Sequence, residues 1–551
     1  MIRLSLDEKA VPYEQDIREL VKAFYPGEDF EIRTPAGVHL SETTQEEKNA
    51  LKLAVERQEA VEVNRKSTKH SSRQFAALSP EGIADESSIR LSLEIAGVDM
   101  PLTGVRKSDK SIIKSEIYET LCDLTGRKLP WGDLTGIRPV SLVSPAIRAA
   151  AAANAGTVPP EAVRAIRGAL RKEYRIEGEK LDLMMEIGLR EHRILRRIEE
   201  QTGRDYTEGF SLYVGIPFCP TRCLYCSFTS NPIAGWSSEL QHYLDCLRKE
   251  IRFTVGEMCG RFGKRLQTIY IGGGTPTALP EEWLGRLMEL LHEECDFTDV
   301  CEFTVEAGRP DSITREKLRI LKDAGVSRIS VNPQTFSQKT LDLIGRRHTV
   351  EQVKAAYFLA REMGFDNINM DIILGLPGEK LPEATHTLCE IARLKPESLT
   401  VHSLAIKRAA RLTREKDYWD GVYRAGEDLP EMYRMMRASE YTAALLSLKP
   451  YYLYRQKNMA GNLENVGYAA EGRECLYNIL MMEEKHTVAG CGAGCSTKLV
   501  IPAENRVERC DNGKDIRNYM TSIEEMIGRK RKLFKENEAA LCTGAGKAAD
   551  N

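Results

Sequence analysis

Long apolar runs, an excess of one charge and dense cysteine are all missing from this chain of 551 residues. No uninterrupted apolar stretch approaches the roughly 18 residues that cross a bilayer, and Met1-Ile2-Arg3-Leu4-Ser5 opens an alternating segment rather than a signal peptide. A cytoplasmic protein without membrane insertion is expected. The 78 basic and 81 acidic residues nearly cancel and form no long block of one sign, so electrostatics give no reason to expect nucleic acid. Fourteen cysteines over this length are too sparse for a disulfide scaffold. What is present is a local crowd: Cys219, Cys223 and Cys226 lie within eight residues. Crowded thiols in a reducing compartment point to metal, whereas the remaining eleven cysteines are mostly isolated in periodic segments and read as small buried thiols.

The length exceeds one typical core, and about three or four folding units are expected. Residues 1–205 read as an α+β accessory region with short alternating stretches such as Ile89-Arg-Leu-Ser-Leu-Glu-Ile95, then helices and the turn-rich Leu129-Pro-Trp-Gly-Asp-Leu-Thr-Gly-Ile-Arg-Pro139. From 206 to 425 short apolar runs alternate with longer helical stretches, as a parallel sheet with crossover helices requires. The strand candidates are Phe210–Ile216, Thr268–Ile271, Glu302–Val305, Arg328–Val331, Asn367–Ile373 and Ser398–Leu404. Six such units predict an α/β fold with an incomplete (β/α)6 barrel, although periodicity alone is also compatible with a doubly wound open sheet. Residues 426–525 read as a C-terminal, mainly helical domain that covers the substrate, and 526–551 as a flexible tail.

Cys219-Pro-Thr-Arg-Cys223-Leu-Tyr-Cys226 follows the first strand directly, so three thiolates on one short loop can wrap a cubane cluster and leave one iron open. Zinc would normally take four closed ligands, and no partner pair lies at matching spacing. Gly272-Gly-Gly-Thr-Pro-Thr277 follows the second strand, Glu306 ends the third, Gln334 lies just past the fourth and Asp371 lies in the fifth. Taken singly, a glycine run is more often a plain turn, and a carboxylate such as Glu306 is more often a helix cap or an ion-pair partner. Their shared place at strand ends is where a βα barrel builds its active site. Cys491-Gly-Ala-Gly-Cys495 invites a second cluster, but two glycines and no further local cysteine favour a tight backbone turn. Tyr454, Tyr468 and Tyr477 could stack on a macrocycle; core packing is the preferred reading.

The tract Tyr213-Val-Gly-Ile-Pro-Phe-Cys219 through Cys226-Ser-Phe228 resembles the cluster loop of radical S-adenosylmethionine (SAM) enzymes, in detail that of the oxygen-independent coproporphyrinogen III oxidase group. The Leu129 to Pro139 tract, Val401-His-Ser-Leu-Ala-Ile-Lys-Arg408, Tyr451 to Met459 and Glu474-Cys-Leu-Tyr-Asn478 resemble the HemZ-type branch of that group. The resemblance implies a [4Fe–4S] cluster on Cys219, Cys223 and Cys226, with SAM chelating the open iron. It places Tyr213, Tyr225, Gly273, Gly274, Thr275, Glu306, Gln334, Arg346, Asp371 and Ala405 beside SAM. It implies decarboxylation of coproporphyrinogen III propionates to vinyl groups by a SAM-derived radical, and an electron donor such as flavodoxin or ferredoxin. A monomer is expected. Two departures stand out: Phe228 replaces the fourth cysteine of the oxidases, as in related haem chaperones, and Asn332-Pro333 replaces small or aliphatic residues. A substrate with four carboxylates calls for cationic clamps, for which Lys407, Arg408 and Arg455 are the candidates.

Overall fold

The computed structural model describes residues 2–25, 30–34, 37–40, 76–78, 91–95, 106–136, 138–203, 205–226, 231–405, 429–456, 463–484, 486–501, 504 and 506–542. Contacts divide the chain into one unit of residues 1–136, 167–181 and 425–427 and a second made of the rest. In the first unit, Ile2–Leu6 runs parallel to both Phe30–Thr34 and Leu91–Ile95 at the centre of a five-stranded sheet. Ile17, Leu20, Val21 and Phe24 of helix Glu14–Phe24 and Ile113, Ile117 and Leu121 of helix Arg106–Thr125 close its core.

The second unit is built on six strands: β1 Gly209–Ile216, β2 Arg265–Gly273, β3 Glu302–Gly308, β4 Arg328–Val331, β5 Ile368–Leu374 and β6 Ser398–Ser403. Helices α1 Leu240–Val255, α2 Glu281–Glu294, α3 Arg315–Asp323, α4 Val350–Glu362 and α5 Leu381–Leu394 connect them. All six strands are parallel and neighbour one another in chain order. Sequential order places every right-handed crossover on the same side of the sheet, which is the winding of a partial barrel and not of a doubly wound sheet.

Period-two alternation then sorts the faces. Phe210, Leu212 and Val214 of β1, Ile269 and Ile271 of β2, and Phe303 and Val305 of β3 form buried apolar rows against the helices. The intervening residues are polar and bond across strands: Thr268 donates to Ser211 at 2.7 Å, Thr400 to Asn369 at 3.0 Å, and Arg328 reaches Ser398, two strands away, at 3.2 Å. The second face is therefore concave and polar.

The C-terminal region supplies α6 Leu429–Leu445, β7 Lys449–Tyr454, β8 Asn465–Ala469, α7 Leu476–Glu483, β9 Thr487–Cys491, β10 Ser496–Ile501, β11 Arg506–Asp511 and α8 Ile523–Glu536. Its helices were expected; its five strands were not. They extend the sheet at both edges, in the order β7-β8-β6-β5-β4-β3-β2-β1-β9-β10-β11, with β8 antiparallel to β6 and β9 parallel to β1. Among the described residues β7 and β11, the two ends of this sheet, do not pair.

Two boundaries also differ from expectation. Residues 137–166 and 182–205 group with the core rather than with an accessory region; in the latter Arg190, almost fully buried, donates to Ala469 O at 3.0 Å and to Glu474 Oε1 at 2.7 Å. The expected flexible tail begins inside α8, whose Met526, Ile527, Lys530, Leu533 and Phe534 form a buried stripe at helical spacing. No helix among the described residues is long and apolar enough to cross a membrane.

Candidate functional site

The site forms where the core strands end. After β1, Phe218–Cys219 pairs with Asn231–Pro232 in a short parallel ladder, and the loop between them carries Cys219, Cys223 and Cys226. Cys219 is buried and the other two thiols are half-buried. The glycine turn after β2 holds the root of this loop: Gly274 N–H donates to Ile216 O at 2.8 Å and Thr275 N–H to Phe218 O at 2.7 Å. Such an approach needs bare backbone. A Cβ on Gly274 would lie 2.4 Å from Phe218 O, and Gly273 sits at φ +108°, where side chains are disfavoured. Thr275 Oγ1 is 3.4 Å from Cys219 Sγ.

Sequence reasoning missed Arg309, although it stands just past β3 in Gly308-Arg309-Pro310-Asp311. Its guanidinium is buried, grips Asp311 through bonds of 3.0 and 2.8 Å, donates to Thr221 Oγ1 at 2.7 Å and reaches Cys223 Sγ at 3.8 Å. Arg309 thus ties the turn after β3 to the thiol loop. Among the described residues no three His, Cys, Asp or Glu side chains stand at metal-holding separation, so the three thiols share a loop without yet surrounding one point. The donor set nevertheless fits an iron–sulfur cluster: soft sulfur ligands beside a fixed positive charge.

The concave face adds a second cradle. Tyr213 stacks on Tyr270 with ring centroids 5.9 Å apart, and Tyr270 stacks on Tyr477 of α7 at 4.5 Å. Glu302, the first residue of β3, accepts from Leu476 N–H at 2.6 Å and so caps the start of α7, seating Tyr477 in the stack. Tyr270 Oη donates to Glu306 Oε1 at 2.7 Å. Burial lifts the Glu306 carboxyl to about 7, against the pull of the Tyr270 hydrogen bond and with help from Asp371. Burial pushes Asp371 up as well, but His402, Asn369 and Thr400 outweigh it and its pKa falls below the usual value. The two carboxyls on one face are thus shifted in opposite directions. His402 and Tyr454, whose facing atoms lie 3.4 Å apart, join Asp371 here; neither was singled out from sequence as a partner of Asp371.

Gln334 sits at φ +66°, donates its N–H to Asp371 O at 3.0 Å and accepts from Ile373 N–H at 2.9 Å, which pins it to β5. Its Oε1 is buried without a hydrogen-bond partner, as are Asn332 Oδ1 and Arg346 Nε, while Arg346 Nη1 donates to Asn332 O at 2.7 Å. Orphaned buried acceptors and a donor at one strand end are what a bound polar ligand would satisfy, and they fit the amino-acid and nucleoside groups of SAM. Tyr225 packs with Leu224, Leu341 and Leu376 beside them, and Ala405 follows β6 half-buried.

Lys407, Arg408 and Phe228 lie outside the described residues. Arg455 is buried, and burial lowers it to about 10 against the opposing charge of Glu464. Tyr468 and Tyr477 are core residues. Cys491 and Cys495 stand in a tight turn: Gly492 and Gly494 take positive φ, and Gly492 N–H donates to Glu250 Oε2 at 2.8 Å.

A radical SAM superfamily signature matches residues 213–388. The oxygen-independent coproporphyrinogen-III oxidase-like protein HemZ of Bacillus subtilis (strain 168) is 39% identical over 446 residues, covering 80% of this chain and 83% of that protein. Heme chaperone HemW of the same organism is 41% identical over 198 residues, 36% of this chain and 51% of its own length. The oxygen-independent coproporphyrinogen III oxidase of Escherichia coli (strain K12) is 34% identical over 195 residues, 35% of this chain and 42% of its own. With a thiol loop, a glycine cradle and a polar concave face at the ends of six sequential parallel strands, this chain belongs to the radical SAM superfamily and, within it, to the HemZ-type group of coproporphyrinogen III oxidase-like proteins.

Proposed function

We propose that the chain is an oxygen-independent coproporphyrinogen III dehydrogenase that turns two propionate side chains into vinyl groups and yields protoporphyrinogen IX. The superfamily's [4Fe–4S] cluster and SAM together supply, once reduced, a 5′-deoxyadenosyl radical able to take hydrogen from an unactivated carbon. The chain's own residues bind and orient. Cys219, Cys223 and Cys226 would hold the cluster, with Arg309 fixing the loop's charge. Gly273 and Gly274 would let backbone approach the cofactor, and Gln334, Asn332 and Arg346 would bond its polar groups. Asp371, held ionised by His402 and Asn369, would accept hydrogen bonds, while Glu306 in its neutral form could donate one. An electron donor such as flavodoxin or ferredoxin would reduce the cluster.

The observation that carries this reading is the orphaned Gln334, Asn332 and Arg346 set facing the same strand ends as the thiol loop. The choice of tetrapyrrole rests on the HemZ relative, which aligns over 80% of this chain, against 36% to 56% for the heme chaperones and 35% for the oxidase of Escherichia coli. The chaperone similarity supports a second reading, a haem carrier that keeps the same core.

Anaerobic incubation with coproporphyrinogen III, SAM and a reductant separates the two. The dehydrogenase releases CO2 and accumulates vinyl product; a carrier does neither and binds haem instead. In the same assay Arg408→Ala should raise the Michaelis constant about tenfold or more, as loss of a charge-assisted carboxylate contact implies, while SAM cleavage without substrate stays unchanged. Normal turnover by Arg408→Ala and Lys407→Ala would move the clamp to Arg455.

A further inference from the structure

A cavity of about 320 Å³ opens away from the strand-end site, between helices Gly178–Thr202 and Ser144–Ala153, the turn at Asp205 to Thr207 and the end of α7. That volume lies at the lower edge of the range for small-molecule sites. Its walls are unusually charged for a space that size. Helix Gly178–Thr202 contributes Glu191, His192, Arg196 and Glu199, the facing helix Arg148, the turn Asp205 and Tyr206, and α7 Glu483.

The deep end holds two carboxylates side by side. Glu191 is 2 % exposed and Glu483 5 %, and Arg148 Nη1 stands 3.6 Å from Glu483 Oε2 as their single close cation among the described residues. Oε2 of Glu191 has no hydrogen-bond partner, and neither has His192 Nε2. At the rim Glu199, bonded by the Tyr206 backbone, faces Asp205, which accepts from Thr207 N–H at 2.7 Å, and Arg196 pairs with Glu200 at 2.9 Å while its charge still reaches Glu199. Four carboxylates thus face two guanidiniums, one of which is shared with Glu200, and His192 is held toward its neutral form by burial and by Arg196 and Arg148. An uncompensated buried carboxylate is expensive unless a cation or a proton balances it.

We propose that this cavity binds an aliphatic polyamine, with one ammonium at the Glu191–Glu483 pair and another at the Glu199–Asp205 rim. Glu191 and Glu199 are eight residues apart on one helix, about 12 Å along its axis at about 1.5 Å per residue. That span matches an extended triamine better than a short diamine, and Leu195 and the Tyr206 ring line the passage between the two ends.

Burial and Glu483 push Glu191 well above the ordinary carboxylate range, so in the free protein a proton balances the pair. A bound ammonium replaces that proton. Binding therefore releases a proton and strengthens as pH rises.

Calorimetry on the anaerobically reconstituted full chain with spermidine, putrescine and butylamine tests this. The expected result is one saturable spermidine site, binding about tenfold tighter than putrescine and tighter still than butylamine, and weakening at least about tenfold between roughly pH 8 and roughly pH 5.5. Glu191→Gln should abolish it. Glu199→Gln, at the half-buried rim where folding is safe, should weaken spermidine about tenfold and leave butylamine unchanged. Absence of saturable binding, equal affinity for the three amines, or spermidine binding unaltered in Glu199→Gln would each overturn the assignment.

Discussion

Two loops in this molecule carry cysteine beside glycine, and they do opposite things with them. The loop after β1 keeps Cys223 and Cys226 half-buried, near the buried guanidinium of Arg309 and beside a cradle of unsatisfied polar atoms. The turn after β9 buries both its thiols: burial pushes Cys491 up to about 11 and Cys495 well above its usual value. Around that turn Glu250 accepts from Gly492 N–H, from Tyr519 at 2.6 Å and from Asn512 at 2.7 Å, and pairs with Lys530 at 2.7 Å with both side chains fully buried. The glycines serve different ends too. Gly274 allows the chain to close on a carbonyl of the cluster loop, whereas Gly492 and Gly494 let a turn fold back over the Glu250 carboxylate. Cysteine spacing thus states which atoms are near one another, and environment decides whether they ligate or pack.

The largest expected effect breaks this contrast directly. Cys219→Ala, Cys223→Ala and Cys226→Ala should each lose essentially all of the roughly four irons of one cluster after anaerobic reconstitution, while Cys491→Ala and Cys495→Ala keep them. Iron and sulfide analysis reads the outcome, and iron lost from Cys491→Ala but retained in Cys223→Ala would reverse the assignment. Next in size is Lys530→Met, which leaves Glu250 buried without its cation and should cost about 3–5 kcal/mol in urea denaturation. The double variant Glu250→Gln/Lys530→Met should recover much of that loss; an equal or larger loss would deny the pair its structural role.

The smallest effect concerns the poised mouth. Glu306 has a folded pKa near 7, above its ordinary carboxylate value, so the fold favours its neutral form. The associated stability is complete below about pH 4.3 and is lost as pH rises through about 7, to the order of 3–4 kcal/mol. Glu306→Gln, permanently neutral, should lose less stability than the parent across that window. Parallel pH profiles for the two proteins would contradict the burial argument.

The core strands were legible because one face of each is apolar and the other polar. Phe210, Leu212 and Val214 alternate with Ser211 and Tyr213, and the same pattern recurs through β6. The strands β8 and β9 escaped because Asn465-Val-Gly-Tyr-Ala469 and Thr487-Val-Ala-Gly-Cys491 are short and hold glycine and alanine, which weakens the strand signal. Helix α8 was hidden by charge: Arg529, Lys530, Arg531 and Lys532 read as a solvated tail, yet Lys530 is fully buried against Glu250. At the site, strand-end position pointed to Glu306, Gln334 and Asp371. Asn332 and His402 stood in tracts marked in the sequence, but their contacts, like those of Arg309, lie between distant strands and are not set by local sequence.

The central claim is that one cluster, held by Cys219, Cys223 and Cys226 beside the Gln334 cradle, meets SAM at the strand ends. Electron paramagnetic resonance of the reduced, reconstituted protein tests it most directly. The account predicts a single reduced [4Fe–4S] signal whose shape changes on adding SAM and which persists unaltered in Cys491→Ala. A signal indifferent to SAM, or one abolished in Cys491→Ala, would contradict it.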